Sequence, residues 1–443
     1  MADGLCDDRH LEAAVQRDAR EPAAEPVARD GWLTRGVGSV GLASFFSDSG
    51  HEIATSVLPT FVTVTLRSSA GALGVIEGIS DALTGVAKLV AGPLANDPER
   101  RLRMASGGYV VTAAATGAIG LAATVWQAGL ARAGAWLARG VRTPARNAML
   151  AQLAPPQAYG RAYGLERAGD NLGAVVGPLL AAGLVSWLGI RHTLYLSAVP
   201  GLFAAVAIAV AAAEARRLRP VGSQKRRSRL ELGALREAGL MRPLVPIAAF
   251  ELGNVATSLL ILRATTLLHH GGRSIAAATS LAVIIYAGHN LFGSFVAYGG
   301  GHWLDRSGPR VVFASGAVVY VAAYGLFALP SHAWPVLVAA FLLAGSGIGL
   351  AETAESALVA RLLPDRLRGS GFGLLGGVQA AGDFASSAAV GLLWTAVSPT
   401  VAFAYAAAWM IASVLASLAT LVAPPGGSVE EDEHGRRAER GEE

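Results

Sequence analysis

Residues 401–422 read VAFAYAAAWMIASVLASLATLV, twenty-two positions without a charge. A helix that crosses a bilayer needs about 20 predominantly apolar residues, so this stretch is long enough to span. Thr193–Ala213, Ala105–Leu130 and Val311–Leu329 are also free of charge. Recurrence of such runs rules out a soluble globular chain. The bulk composition agrees. The 443 residues are 53% hydrophobic and 15% charged, against about 25% charged in soluble domains. Mean hydropathy is +0.45. Glycine, with 54 residues, is abundant, as membrane helices tolerate. The fold class is therefore an all-α polytopic membrane protein.

Working outward from residue 401, apolar runs between polar breaks give twelve transmembrane helices. They lie near 38–65, 73–94, 104–126, 130–152, 160–187, 192–214, 242–268, 275–300, 310–329, 335–362, 369–396 and 399–423. The Lys/Arg bias orients them. Arg100, Arg101 and Arg103 follow the second span, Arg216 to Arg229 the sixth, Arg306 and Arg310 the eighth, and Arg366 and Arg368 the tenth. The opposite loops are short and nearly neutral. Both termini are thus expected in the cytoplasm, with the chain in the cell (inner) membrane. The expected division is a tail at 1–37, a six-helix half at 38–214, a basic linker at 215–241, a second half at 242–423 and a tail at 424–443. The single cysteine, Cys6, excludes a disulfide framework and a Cys-based metal site. The net charge of +4 sits in topology-setting loops and calls for no nucleic-acid partner.

An internal repeat supports two pseudo-symmetric six-helix bundles. Ala54-Thr55-Ser56 recurs as Ala256-Thr257-Ser258, an offset of 202, which sets Glu52 opposite Asn254. Pro155 through Leu165 resembles Pro364 through Leu374 at an offset of 209, matching Gly160 to Gly369 and Gly164 to Gly373. The same offset lays Gly92-Pro93-Leu94 over Gly301-His302-Trp303. Parallel repeats of this kind place a substrate between them, near the bilayer midplane.

The loop Gly301-His302-Trp303-Leu304-Asp305-Arg306-Ser307-Gly308-Pro309-Arg310 resembles the Gly-x-Leu-x-Asp-Arg-x-Gly-Arg-Arg loop of the major facilitator superfamily. The first-half copy departs from it, with Asn96 where the acid stands and Asp97 where the Arg stands. Leu137 through Ala148 is similar to the arginine-bearing fourth helix of that superfamily. Gly173-Ala174-Val175-Val176-Gly177-Pro178 resembles the Gly-x-x-x-Gly-Pro helix kink of its antiporters. The resemblance covers about residues 38–423, points to a prokaryotic antiporter-like branch, and implies solute transport, often proton-driven efflux.

Charges inside apolar spans cost about 2.5–3.5 kcal/mol each on insertion scales, so they are candidates for function. Asp48, His51 and Glu52 share one helical face through their i, i+3, i+4 spacing. Such a cluster suits proton exchange, cation coordination or a structural ion pair. Glu77 and Asp81 share a face of the second span, with Lys88 two turns on. Arg139, Arg142 and Arg146 form a stripe in the fourth, and Arg139, the deepest, is expected to pair with Asp48 or Glu52. With Asp81, Glu251, Asn254 and Asp383, these define an expected coupling and substrate cavity. Arg142, Arg146, Glu166, Asp170, Glu352, Glu355, Asp305 and Arg306 are expected to form a cytoplasmic gate of ion pairs. The offset of 209 sets Arg146 over Glu355, so the tenth span holds acid where the fourth holds base. His289 and Asn290 suit interhelical hydrogen bonds.

No Gly-x-x-x-x-Gly-Lys-(Ser/Thr) loop, Ser-His-Asp arrangement or HExxH helix is present, which argues against ATP as the driver and against an enzyme. No cofactor and no resident metal is expected. The leading reading is a monomeric secondary transporter, with protons as coupling ion, exporting a small organic molecule or drug by alternating access. A transition-metal or siderophore-linked transporter, resting on Asp48, His51, Glu52 and His289, is the alternative. A receptor or channel-like protein is the alternative of another class.

Overall fold

Helices begin where the sequence offers a side-chain cap. Thr34 accepts from the Val37 amide to open α1 (Arg35–Thr60), and Ser69 accepts from Ala72 to open α2 (Ala70–Leu94). Asp97 takes the amides of Glu99 and Arg100 at the head of α3 (Pro98–Ala118). A reciprocal capping box of Thr124 and Gln127 opens α4 (Val125–Leu153). Each cap satisfies donors that a helix start leaves unpaired. The computed structural model describes residues 31–218 and 229–422. The helices it describes belong to one compact unit starting at Leu33.

The chain continues as α5 (Tyr159–Leu196), α6 (Ala198–Arg217), the short α7 (Leu232–Glu237), α8 (Met241–Gly253) and α9 (Thr257–His270). Then follow α10 (Ile275–Ser307), α11 (Pro309–Ala328), α12 (Trp334–Leu362), α13 (Asp365–Ala396) and α14 (Pro399–Val422). Among the described residues every regular element is helical. Most of the two expected tails, including Cys6, and the middle of the expected linker lie outside the described residues.

Among the described residues, seven helical segments are long and apolar enough to cross a membrane. Four further long helices, α1, α2, α4 and α13, fall short on composition. They are the ones that carry Asp48, Glu52, Asp81, Lys88, Arg139 and Asp383. The same residues that dilute the apolar signal are the candidates for function. Large apolar side chains cover the exterior, with Trp187 83% and Trp126 79% exposed. These two and Trp334 sit at helix ends opposite the arginine-rich loops, where amphipathic rings meet a membrane interface.

Two backbone breaks differ from the sequence expectation. The segment 242–268 is not one helix, since Asn254–Ala256 separate α8 from α9. The Val255 amide freed there donates to the Tyr324 hydroxyl at 2.9 Å, so the break leaves no orphan donor at depth. The kink expected at Gly173, Gly177 and Pro178 is also displaced. Backbone angles leave helical values at Gly189 (φ 79°, ψ 171°), a conformation glycine adopts without steric cost. Gly173 and Gly177 instead admit α1: a Cβ on Gly177 would stand 2.8 Å from the Ser49 carbonyl oxygen.

The packing pattern positions the site. α1 lies against α5 and α6, α3 against α4 and α6, and α2 against α4. α11 lies against α12 and α14, α10 against α12, and α8 against α13 and α14. The principal contacts between these two sets run through α5 with α10 and α2 with α13.

Candidate functional site

The α1 and α4 faces meet through acid–arginine pairs. Arg139 Nη1 lies 2.7 Å from Asp48 Oδ1, with side chains 23% and 9% exposed. A buried acid next to a guanidinium is far less costly than one left alone. Glu52 is more open, at 27%, with its Oε1 3.7 Å from His51 Nε2. The His51 ring lies 4.0 Å from the Trp136 ring, and Nε2 is 3.2 Å from Thr55 Oγ1. Arg132 binds Glu77 at 3.1 Å and Thr55 at 3.2 Å. Asp81 takes the Trp136 indole N–H at 2.8 Å. Lys88 is not its partner: its stem runs along Gly373 and Gly376 of α13, in electrostatic range of Asp383 and Glu352.

The face built by α8, α12 and α13 holds its acids with amides. The Asn254 side-chain amide donates to Glu251 at 3.1 Å and to Asp383 at 2.9 Å. The helix break at Asn254 makes this bridge possible, since it frees the residue to reach both α8 and α13 acids. Gln379 donates to Glu355 at 2.7 Å. Glu251 and Glu355 are 2% and 1% exposed. Arg167 joins the two faces, 2.9 Å from Asp170 and 3.0 Å from Glu352.

Toward the arginine-rich end, Arg146 lies 2.8 Å from Glu166, and Ser44 bridges the pair at 3.0 and 2.8 Å. Arg142 has a different environment. Its guanidinium donates to Ser47 at 2.6 Å and lies 3.7 Å over the Tyr109 ring. His289 donates to or accepts from nothing in this cluster; its Nδ1 is 2.9 Å from the Phe341 carbonyl oxygen. Arg263 likewise serves structure, binding the carbonyl oxygens at the end of α11.

Two clamps close the arginine-rich end. Asp305, at the end of α10, accepts from the Gly160 amide at 2.7 Å, the Arg161 amide at 3.1 Å and the guanidinium groups of Arg161 and Arg361 at 2.9 Å each. Asn96, at the end of α2, accepts from the Ser370 amide at 3.0 Å and donates to the Ser370 hydroxyl at 2.8 Å. The offset of 209 converts one contact into the other. Glycine makes both approaches possible: a Cβ on Gly160 would collide with the Gly301 carbonyl oxygen, and one on Gly369 with that of Gly92. Beside them Arg101, fully buried, lies 2.8 Å from Asp365. Arg306, which the sequence places in this gate, is exposed. Asp305 recruits Arg161 and Arg361 instead, because these lie on the elements packed against the end of α10. Sequence reasoning missed Arg161, Arg361, Arg101 and Ser370, although the repeat already aligned Ser370 with Arg161.

The α2–α13 crossing opens away from this end. Gly92, Gly85 and Gly78 share a face at heptad spacing, a drift of only about 20° per step. Added Cβ atoms at Gly92 and Gly85 would meet α13 at 2.8 and 2.7 Å, whereas one at Gly78 would meet nothing within 4 Å. Asp81 and Asp383 are exposed along this opening.

The arrangement has relatives. A family model described as Major Facilitator Superfamily matches residues 40–299 and 272–440. The chain is 22% identical over 405 residues to an uncharacterized MFS-type transporter of Methanocaldococcus jannaschii, covering 90% of this chain and 98% of that protein. The crystal structure of a bacterial homologue of the iron transporter ferroportin, in an outward-facing state, is similar with a TM-score of 0.67 at 17% identity. That match covers 87% of this chain and 99% of the other. The human organic anion transporter MFSD10 matches with a TM-score of 0.65 at 14% identity, over 86% of this chain and 99% of its own. At these identities the structural likeness concerns the fold. With the family model matching most of its length, the chain belongs to the major facilitator superfamily and is a multi-pass membrane transporter of small molecules.

Proposed function

We propose that this transporter is a proton-coupled exporter of a small organic molecule, working by alternating access. The observation that carries the reading is the Asp48–Arg139 pair beside the part-exposed Glu52, in a cleft that opens away from the sealed arginine-rich end. An acid held by an arginine stays ionised, while a neighbouring acid without one is free to load and release a proton. Glu52 is the proton-exchanging group, Asp48 and Arg139 fix its surroundings, and Glu251, Asn254 and Asp383 line the opposite wall.

In this reading twelve spans form two pseudo-symmetric halves, 38–214 and 242–423, joined by the basic linker 215–241. The separate packing of α1–α6 and α8–α14, and the two clamps related by 209 residues, support that division. The arginine-rich end and both termini, with the tails 1–37 and 424–443, face the cytoplasm of the inner membrane, so the cleft faces outward. Asp305, Asn96 and the pairs of Arg146 and Arg167 form the inner gate. Rocking of the halves breaks these contacts and exposes the site to the other side. The protein works as a monomer on the antiporter-like branch.

The metal-transport alternative draws on the ferroportin homologue, but the cluster that motivated it is otherwise engaged. Asp48 is taken by Arg139, and His51 lies against Trp136. Among the described residues no group of three or more His, Cys, Asp or Glu side chains is placed to hold a metal ion.

The test is transport into proteoliposomes of defined internal pH, across a panel of organic compounds. Accumulation of one or more compounds should require the pH gradient. Glu52→Gln should abolish that dependence while leaving equilibrium exchange of the same compound intact. Gradient-independent accumulation by the wild type would sink the coupling claim.

A further inference from the structure

Behind the Asp48–Arg139 pair, α1, α3 and α6 enclose a small polar cavity of about 10 Å³. Ser47, His51, Tyr109, Thr112, Thr116 and Ser197 supply its polar lining, and all six are buried. Two of their atoms have no hydrogen-bond partner in the protein: His51 Nδ1 and Tyr109 Oη, in residues 7% and 1% exposed. Buried polar atoms are seldom left unpaired, and a polar void with space on the order of 10–15 Å³ holds one water.

The surrounding hydrogen bonds fix how that water is held. Thr112, Thr116 and Ser197 each donate their hydroxyl proton to a backbone carbonyl, at 2.7, 2.7 and 2.6 Å. Only their lone pairs remain for the cavity. On the far side of the imidazole, Thr55 Oγ1 donates to the His51 carbonyl at 3.1 Å and accepts from Arg132 at 3.2 Å. It therefore faces Nε2 as an acceptor, at 3.2 Å, with Glu52 Oε1 on the same side at 3.7 Å. Nε2 must carry the ring proton, which leaves Nδ1 a bare acceptor in need of a donor. Tyr109 Oη is a donor in need of an acceptor.

We propose that one water molecule occupies this cavity, accepting from Tyr109 Oη and donating to His51 Nδ1, so that Tyr109 is a positioning residue that holds His51 with its Nε2–H toward Glu52. The tautomer of an imidazole is set by the bond its other nitrogen makes. The charged groups facing His51 and Glu52 are Asp48 on α1, Arg132, Arg139 and Arg142 on α4 and Asp170 on α5, and none of them bonds to Nδ1. α6 contributes Ser197 and Gly201 to the cavity, and Tyr286 of α10 lies in electrostatic range of Glu52. The bridge ties the α1 site to α3, which no direct hydrogen bond to His51 does. Its functional consequence rests on Glu52 being the coupling acid; the water and the tautomer do not.

Tyr109→Phe keeps the ring under Arg142 and removes only the hydroxyl. The test is nitrogen-15 solid-state NMR of the full chain in lipid bilayers with labelled histidine, the His51 signals being assigned by their loss in His51→Gln. The wild type should show the Nε2–H tautomer, with Nδ1 in magnetisation-transfer contact with water protons. Tyr109→Phe should lose that contact and populate the second tautomer. A wild-type Nδ1 that is protonated, or that has no water contact, overturns the proposal even if the variant fails to fold. An unchanged His51 spectrum in a folded Tyr109→Phe protein overturns it as well. No transport is measured, so failure here is separate from failure of proton coupling.

Discussion

Positions related by the 209-residue offset make the same kind of contact with different chemistry. At the end of α10 a carboxylate, Asp305, binds two backbone amides and two guanidinium groups. At the end of α2 an amide, Asn96, binds one backbone amide and a hydroxyl. Deeper in the protein the polarity reverses. Arg146 on α4 pairs with Glu166, whereas its counterpart Glu355 on α12 is held by the Gln379 amide. What recurs is the backbone geometry, glycine against carbonyl and side-chain oxygen against the first amides of a helix. The charge placed on that geometry is free to vary. An amide holds an acid through hydrogen bonds alone, whereas an arginine also neutralises it.

The largest effect should come from emptying the arginine-held wall. Arg139→Ala leaves Asp48 buried with its cation gone, a loss of about 3–5 kcal/mol in systems of this type. Thermal unfolding in detergent should fall accordingly, and Asp48→Asn in the same chain should recover most of it. Full additivity of the two changes would break the contrast drawn between the walls. Next comes the charged clamp. Asp305→Asn loses the bonds from Arg161 and Arg361, each worth about 1.5–3 kcal/mol when a charged group is involved. In a chain with Cys6→Ser, a cysteine replacing Ser44 should then react faster with an impermeant maleimide applied from the arginine-rich side.

The neutral clamp should matter less. Asn96→Ala removes two uncharged hydrogen bonds of about 0.5–1.5 kcal/mol each, and the same maleimide assay should register a smaller gain. Equal gains from the two clamps would mean that backbone contact, and not charge, decides closure. Smallest of all, Arg306→Ala should change the unfolding temperature by an amount within about 0.5 kcal/mol, because the side chain is exposed. A large effect there would return Arg306 to the gate.

Helix positions and the identity of the polar residues were legible because both are local. Charge-free runs near 20 residues announce spans, and i, i+3, i+4 spacing put Asp48, His51 and Glu52 on one face. The arginine stripe of α4 pointed to a partner for Arg139, and the structure supplies Asp48. The gate was half legible. Glu166 and Arg146 meet, but Arg306 was preferred to Arg161 and Arg361 because it adjoins Asp305 in sequence. Proximity along the chain is a poor guide to partners of a residue at a helix end, where neighbouring elements supply the contacts. The break at Asn254 carried no proline to announce it.

By itself, then, the sequence determined the helical membrane architecture, the repeat of 209 and the set of costly charges. These follow from length, periodicity and the price of polarity in lipid. Only the tertiary structure decided which acid each base neutralises, that Asn254 bridges Glu251 and Asp383, that the α5 break falls at Gly189, and that one end is sealed while the α2–α13 crossing opens. Those outcomes depend on groups distant in sequence competing for the same few donors and acceptors, and close helix packing settles that competition.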